Sequence, residues 1–134
     1  MDKVYIDKLA FIELKDGRVL ETLSYGKDKW YIPGGKRMEG ENDQEALVRE
    51  IKEELSVDLI PETIKYFGTF EAQAHGKSDG IFVRMICYTA QYSGVLVPAS
   101  EIEKMDWFDY SKKDLTSPVD HLIFDDLKNK NLIS

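Results

Sequence analysis

Three glutamates, Glu50, Glu53 and Glu54, fall within five consecutive positions of the segment PGGKRMEGENDQEALVREIKEELSV, which runs from Pro33 to Val57 and carries seven Asp or Glu residues. The local pattern predicts a helix over 43–55, with Asn42 or Asp43 able to cap its N-terminus and Glu45 near the positive end of the dipole. At about 3.6 residues per turn, each residue advances by roughly 100°. Glu54 therefore lies about 40° from Glu50 on one side, and Glu53 about 60° on the other. The three carboxylates share a face, next to an apolar face made by Val48, Ile51 and Leu55. Like charges at i,i+4 cost a helix roughly 0.2–0.5 kcal/mol per pair, and only Arg49, four residues before Glu53, offers relief. Helix phase leaves two readings open. The face is solvated, or it holds hard divalent cations, which favour carboxylate and carbonyl oxygens and would convert the repulsion into coordination.

The elements that must carry this helix are legible around it. VYIDKLAFIEL, from Val4 to Leu14, is a long β-type run that stops at the turn signal Asp16-Gly17, after which RVLETLSY is expected to run back as a second strand. KWYIPGG reads as a short strand ended by Pro33, with glycines where the backbone must turn sharply. Beyond the helix, TIKYFGTFEAQAH, GIFVRMICYTAQY and EKMDWFDY read as strands. A second helix opens with Ser117 as cap and Pro118 at its first position. Val119, Leu122, Ile123 and Leu127 recur at helical spacing, so that helix should lie on the sheet. Strands, a helix, more strands and a final helix predict an α/β (α+β) fold, with a central mixed sheet and helices on both faces.

Composition narrows the function. The chain has 134 residues, 43% of them hydrophobic, which predicts one folded domain spanning 1–134. Net charge is −7 with no basic tract, which argues against a nucleic-acid polymer as partner. The single cysteine, Cys87, excludes an internal disulfide and fits a reducing compartment. The charged, alternating N-terminus does not read as a signal peptide, and no apolar run approaches membrane-spanning length. These features predict a cytoplasmic protein that does not engage membranes.

The spacing before the glutamates resolves the choice left by helix phase. Gly35, five residues, Glu41, seven residues and then REIKEELSV follow the Nudix box, Gly-x5-Glu-x7-Arg-Glu-U-x-Glu-Glu-x-Gly-U with U apolar. The match falls at Gly35, Glu41, Arg49, Glu50, Ile51, Glu53, Glu54 and Val57, so the box spans 35–57; Ser56 replaces its final glycine. With WYIPGG before it and the order of elements around it, the chain resembles a single-domain, MutT-like Nudix hydrolase. That resemblance implies an α/β/α sandwich and a Mg²⁺-dependent pyrophosphohydrolase, with Mn²⁺ a possible substitute. It implies that Glu50, Glu53 and Glu54 coordinate the metal, with the Gly35 carbonyl as a further ligand. Arg49 orients Glu53, Glu41 anchors the loop, Gly34 and Gly35 let the backbone approach, and Glu53 is the expected base.

Some members recruit one more acid from outside the box. Glu101, ahead of an aromatic strand, has the right placement, with Glu71 and Glu103 as competitors. Lys36 and Arg37 are in reach of phosphates, or are solvated loop charges. Ser117 and Asp120 fall where relatives often place base-contacting residues, or are simply a cap and a helix surface. The expected substrate is a small nucleotide, a nucleoside triphosphate or another nucleoside diphosphate linked to X. ADP-ribose, nucleotide sugars and dinucleotides are alternatives within that class, and a non-catalytic nucleotide-sensing module is the alternative outside it. Edge strands allow either a monomer or a homodimer. Cys87, inside an apolar strand, reads as a core residue rather than a nucleophile.

Overall fold

The computed structural model describes residues 3–134. In chain order it contains β1 (Val4–Phe11), β2 (Leu14–Lys15), β3 (Arg18–Ser24), β4 (Gly34–Gly35), α1 (Asp43–Leu55), β5 (Asp58–Leu59), β6 (Lys65–Gln73), β7 (Ile81–Thr89), β8 (Tyr92–Ser93), β9 (Ile102–Phe108) and α2 (Pro118–Asn129). Among the described residues, no helix is long and apolar enough to cross a membrane.

The strands form a central mixed sheet in the order β4-β1-β7-β6, in which β1 runs parallel to β7 and antiparallel to β4. β1 is consequently covered on both faces. Leu9 and Phe11 pack with Ala46, Leu47, Ile51 and Leu55 of α1. Ala10 and Ile12 pack with Val119, Ile123, Phe124 and Leu127 of α2. Alternation along one strand thus feeds two cores, and the helices lie on opposite faces. Burying side chains of this size is worth roughly 1.5–3 kcal/mol each.

The path of the first hairpin differs from the sequence expectation. The run Val4 to Leu14 breaks at Ile12 and Glu13, and only Leu14–Lys15 pairs with β3 across the Asp16-Gly17 turn. Both turn residues have positive φ, 52° and 74°, as a two-residue hairpin requires. β1 has both edges occupied by β4 and β7, so β3 pairs instead with β9 in a separate antiparallel sheet, β2-β3-β9.

α1 starts with a capping box. The Glu45 backbone N–H donates to Asn42 Oδ1 at 2.8 Å, and the Asn42 backbone N–H donates to Glu45 Oε1 at 3.1 Å. Asn42 is therefore the cap, while Asp43 accepts from the Tyr88 hydroxyl. At the N-terminus of α2, Ser117 holds the cap position but its side chain makes no capping bond. Its hydroxyl is buried beside Asp120.

Asp120 and Glu21, from α2 and β3, are both fully buried and face each other. Asp120 Oδ2 accepts the Ile32 backbone N–H at 2.8 Å. Asp120 Oδ1 and both Glu21 oxygens meet no other donor, which two ionised carboxylates could not tolerate so far from water. Burial, and then the charge on Asp120, push the Glu21 carboxyl well above its ordinary value, so Glu21 keeps a proton and donates it to Asp120. The folded state binds this proton more tightly than the unfolded chain. The resulting stability is complete below the unfolded carboxyl value of about 4.3 and is lost as pH rises toward the folded one, by up to about 1.4 kcal/mol per pH unit. Thermal unfolding between pH 5 and pH 8 should show this decline. Glu21→Gln, whose amide can donate without titrating, should flatten it and raise the melting temperature at pH 8; an unchanged pH profile in that variant contradicts the shared proton.

Candidate functional site

The site is assembled around Gly34 and Gly35. They form a two-residue strand against β1, Leu9 opposite Gly35 and Ala10 opposite Gly34. A Cβ on Gly34 would lie 1.9 Å from the Leu9 carbonyl oxygen, and one on Gly35 would lie 2.5 Å from the carboxyl carbon of Glu50. At Gly34 the clash is with backbone, so only glycine fits there, whereas at Gly35 the Glu50 carboxyl would have to move aside. In that position the Gly34 N–H donates to Glu54 Oε1 at 3.0 Å.

Carboxylate oxygens of Glu50, Glu54 and Glu101 come within 4.8 Å of one another. Glu54 is 5% exposed, and its carboxyl is pushed up to about 9, first by burial and then by a hydrogen bond to Glu101, against the opposing pull of the Gly34 N–H. Burial also raises Glu50, partly offset by Arg49. Glu101 is lowered, first by a hydrogen bond from Ser100. The three acids border one cavity of about 330 Å³, which Gly34, Gly35, Lys36, Lys8 and Tyr31 also line.

Arg49 holds the acidic face together. Its guanidinium grips Glu41 with two bonds, Nε–H to Oε2 at 2.7 Å and Nη2–H to Oε1 at 2.9 Å. It also donates to the Lys36 carbonyl at 3.1 Å and to Glu50 Oε1 at 3.0 Å. Arg49 first, and then the Met38 N–H, hold the Glu41 carboxyl down to about 2. The loop before α1 is thereby tied to the helix that carries the acids.

The structure therefore brings Glu50, Glu54 and Glu101 together. Glu53 stands apart from this trio: its side chain is half exposed, with Arg49 Nη1 at 3.4 Å. Lys36 lies on the cavity wall, whereas Arg37 pairs with Asp7 and Asp43. Ser117 and Asp120 are buried at the N-terminus of α2, and neither lines the cavity that the trio borders. Glu71 is bonded to Arg84 at 2.6 Å, and Glu103 is exposed. Cys87 is fully buried. Lys8, also on the cavity wall, belongs to no motif of the sequence; a lysine on the inward-facing alternation Ile6, Lys8, Ala10, Ile12 is the signal that marks it.

This donor set suits a hard divalent ion. It offers three convergent carboxylates, one of them buried, and a glycine backbone leaving room beside Glu50. A family model described as NUDIX domain matches residues 9–124. The chain belongs to this family. Within it, the m7GpppN-mRNA hydrolase of Saccharomyces cerevisiae is 33% identical over 95 residues, 71% of this chain but 10% of that protein. The uncharacterized Nudix hydrolase YvcI of Bacillus subtilis is 30% identical over 97 residues, 70% of this chain and 60% of that protein. The chain thus spans about a tenth of the length of the first of these relatives and about 60% of the second. The crystal structure of the MutT protein from Methanosarcina mazei superposes with a TM-score of 0.74 at 18% identity, covering 98% of both chains, and shows the shared fold. Nudix hydrolases generally use divalent metal, and the acidic trio lies on the Nudix helix and the loop facing it.

Glu54 must lose its proton to act as a metal ligand, so cation and proton compete. Calorimetric titration with Mn²⁺ should show apparent affinity rising as pH increases toward 9, with proton release on binding. Glu54→Gln should lose both the affinity and its pH dependence. Gly35→Ala should weaken binding with the fold retained, because the added methyl meets the Glu50 carboxyl.

Proposed function

We propose that this chain is a Mg²⁺-dependent pyrophosphohydrolase that cleaves a diphosphate bond in a small nucleotide, a nucleoside triphosphate or a nucleoside diphosphate linked to another group. The observation that carries this reading is the convergence of Glu50, Glu54 and Glu101 against the side-chain-free backbone of Gly35, inside a cavity of about 330 Å³. Nudix hydrolases act on pyrophosphate bonds, and one relative is named for hydrolysis of m7GpppN-mRNA.

Glu50, Glu54 and Glu101 are the residues to hold the ion, with Mn²⁺ as a substitute. When bound, the ion neutralises phosphate oxygens and lowers the pKa of water, which is the chemistry a doubly charged bridge needs before it can be attacked. Arg49 fixes Glu50 and Glu53 relative to that bridge through the contacts above. Glu53, oriented by Arg49 at the margin of the trio, accepts the proton of the attacking water. Lys36, on the cavity wall, donates to phosphate.

The reading is tested with a panel of nucleoside triphosphates, ADP-ribose and UDP-sugars, assayed with Mg²⁺ for phosphate or pyrophosphate release. Glu54→Gln should abolish metal-dependent turnover while the protein stays folded. Glu53→Gln should lower kcat by about 10²–10⁴, the usual worth of a general base, with Mn²⁺ affinity close to wild type. Glu101→Gln should instead raise the metal concentration needed for half-maximal rate. Undiminished turnover in Glu54→Gln would falsify the assignment.

A further inference from the structure

Lys8 is a charged residue in the middle of a strand that lies between two core helices. β1 is paired on both edges, with Lys8 opposite Met85 of β7 and the next residue, Leu9, opposite Gly35. Its backbone is therefore fixed relative to the Gly34–Gly35 segment. The side chain is half-buried, with the ammonium 5.4 Å from the centre of the Tyr31 ring. Among the described residues, the Lys8 ammonium makes no hydrogen bond or ion pair and meets other charges only at longer range.

Those charges surround one space. Lys8 and Lys36 line the cavity that holds Glu50, Glu54 and Glu101. Gly34 and Gly35 lie between them and contribute no side chains, so the cavity is continuous from the acids to Lys8. Lys36 enters hydrogen bonds among the described residues only through its carbonyl, to Arg49. Burial first, and then the positive charge of Lys36, lower the Lys8 ammonium from its ordinary value, while Asp120 and Glu54 raise it. Two unpaired cations that repel each other across one cavity are both relieved by an anion placed between them. Lys8 also borders a second, smaller cavity of about 70 Å³, lined by Ile6, Val83, Ser117 and Pro118. It thus stands at the boundary between the polar, acid-lined space and a more apolar one.

We propose that Lys8 is a substrate-contacting residue whose ammonium donates to an oxygen of one phosphoryl group of the diphosphate, opposite Lys36, while the other phosphoryl group lies at the Glu50–Glu54–Glu101 trio. This rests on the diphosphate reading above, and adds to it a phosphate contact from outside the Nudix box that fixes which way the substrate lies. The group beyond the phosphates then extends past Tyr31 toward the smaller cavity.

The test uses methylenediphosphonate, a non-hydrolysable diphosphate without a nucleoside, titrated into the Mg²⁺-loaded protein. Lys8→Met, similar in length and suited to a half-buried position, should weaken its binding by roughly ten- to a hundredfold, the worth of one hydrogen bond to a charged group. Lys8→Arg should recover most of the loss. Mn²⁺ affinity in Lys8→Met should be unchanged or tighter, since a positive charge has left the neighbourhood of Glu54, and the melting temperature should not fall. Wild-type affinity for methylenediphosphonate in Lys8→Met overturns the proposal. Loss of Mn²⁺ binding or of thermal stability in that variant also overturns it, in favour of a structural role. Absence of diphosphonate binding to the wild type overturns it as well. If the wild type binds the probe through Lys8 yet hydrolyses nothing in the nucleotide panel, the phosphate contact stands and the hydrolase reading fails.

Discussion

The closeness of the Gly34–Gly35 backbone to both β1 and α1 is the constraint on which the site depends. Gly34 has φ 149° and sits where any Cβ would run into the Leu9 carbonyl, while Gly35 sits where any Cβ would run into the Glu50 carboxyl. Two glycines in sequence are costly to order, by roughly 0.5–1 kcal/mol each relative to alanine in a regular element. Their pairing with Leu9 and Ala10 and the preceding bond from the Ile32 N–H to Asp120 offset that cost. The return is a backbone N–H delivered to a buried carboxyl, and open space beside two others. Burial of Glu54 follows from this approach, and its raised pKa follows from the burial. The same proximity therefore positions the acids and crowds their like charges into one partly buried space.

Arg49 solves the complementary problem on the outer side. Glu41 is eight residues before it and Lys36 thirteen, so the guanidinium closes the loop onto the helix with bonds in a fixed fork. The Arg49 side chain is 22% exposed, so its pairs with Glu41 and Glu50 are part-buried. They also serve orientation. With Arg49 also reaching Glu50 and Glu53, one planar cation sets the direction of several carboxylates at once.

What could be read from the sequence follows the distance over which each feature is determined. The helix over Asp43–Leu55 and the shared phase of its glutamates are local, so periodicity is enough to place them, whereas the choice between Asn42 and Asp43 as cap is made by the bonds at Glu45. The box spacing identified the loop and Arg49 for the same reason. Strand partners are not local. The run ending at Leu14 was expected to fold back on itself, but the β1 edges belong to β4 and β7, and nothing in the alternation of VYIDKLAFIEL says so. Glu101 was one of three acids in contention until the structure carried it across the sheet to Glu54, 47 residues away. Glu53 shares the helical face of Glu50 and Glu54, yet phase cannot distinguish a carboxylate that points into the cavity from one that Arg49 holds at its margin. The facing of Glu21 and Asp120 depends on two sheets and a helix closing around them, and was invisible in the sequence for that reason.

Ser56, the box position that departs from glycine, shows how such a departure can be accommodated. The residue ends α1 in the left-handed region, with φ 67°, where a side chain costs roughly 1–2 kcal/mol that glycine avoids. Its N–H still closes the helix on the Lys52 carbonyl at 3.1 Å, so the capping geometry expected of glycine is intact. The hydroxyl adds a bond that glycine cannot make, to the Val97 carbonyl at 3.0 Å, typically worth about 0.5–1.5 kcal/mol. Val97 lies in the segment leading to Glu101, and two backbone bonds, Val97 N–H to Leu55 and Ala99 N–H to Glu54, tie the same segment to the end of the helix. The serine therefore exchanges local backbone strain for a further tether on the loop that delivers Glu101. The departure from the box consensus falls where the acid from outside the box is anchored, and the two are mechanically linked.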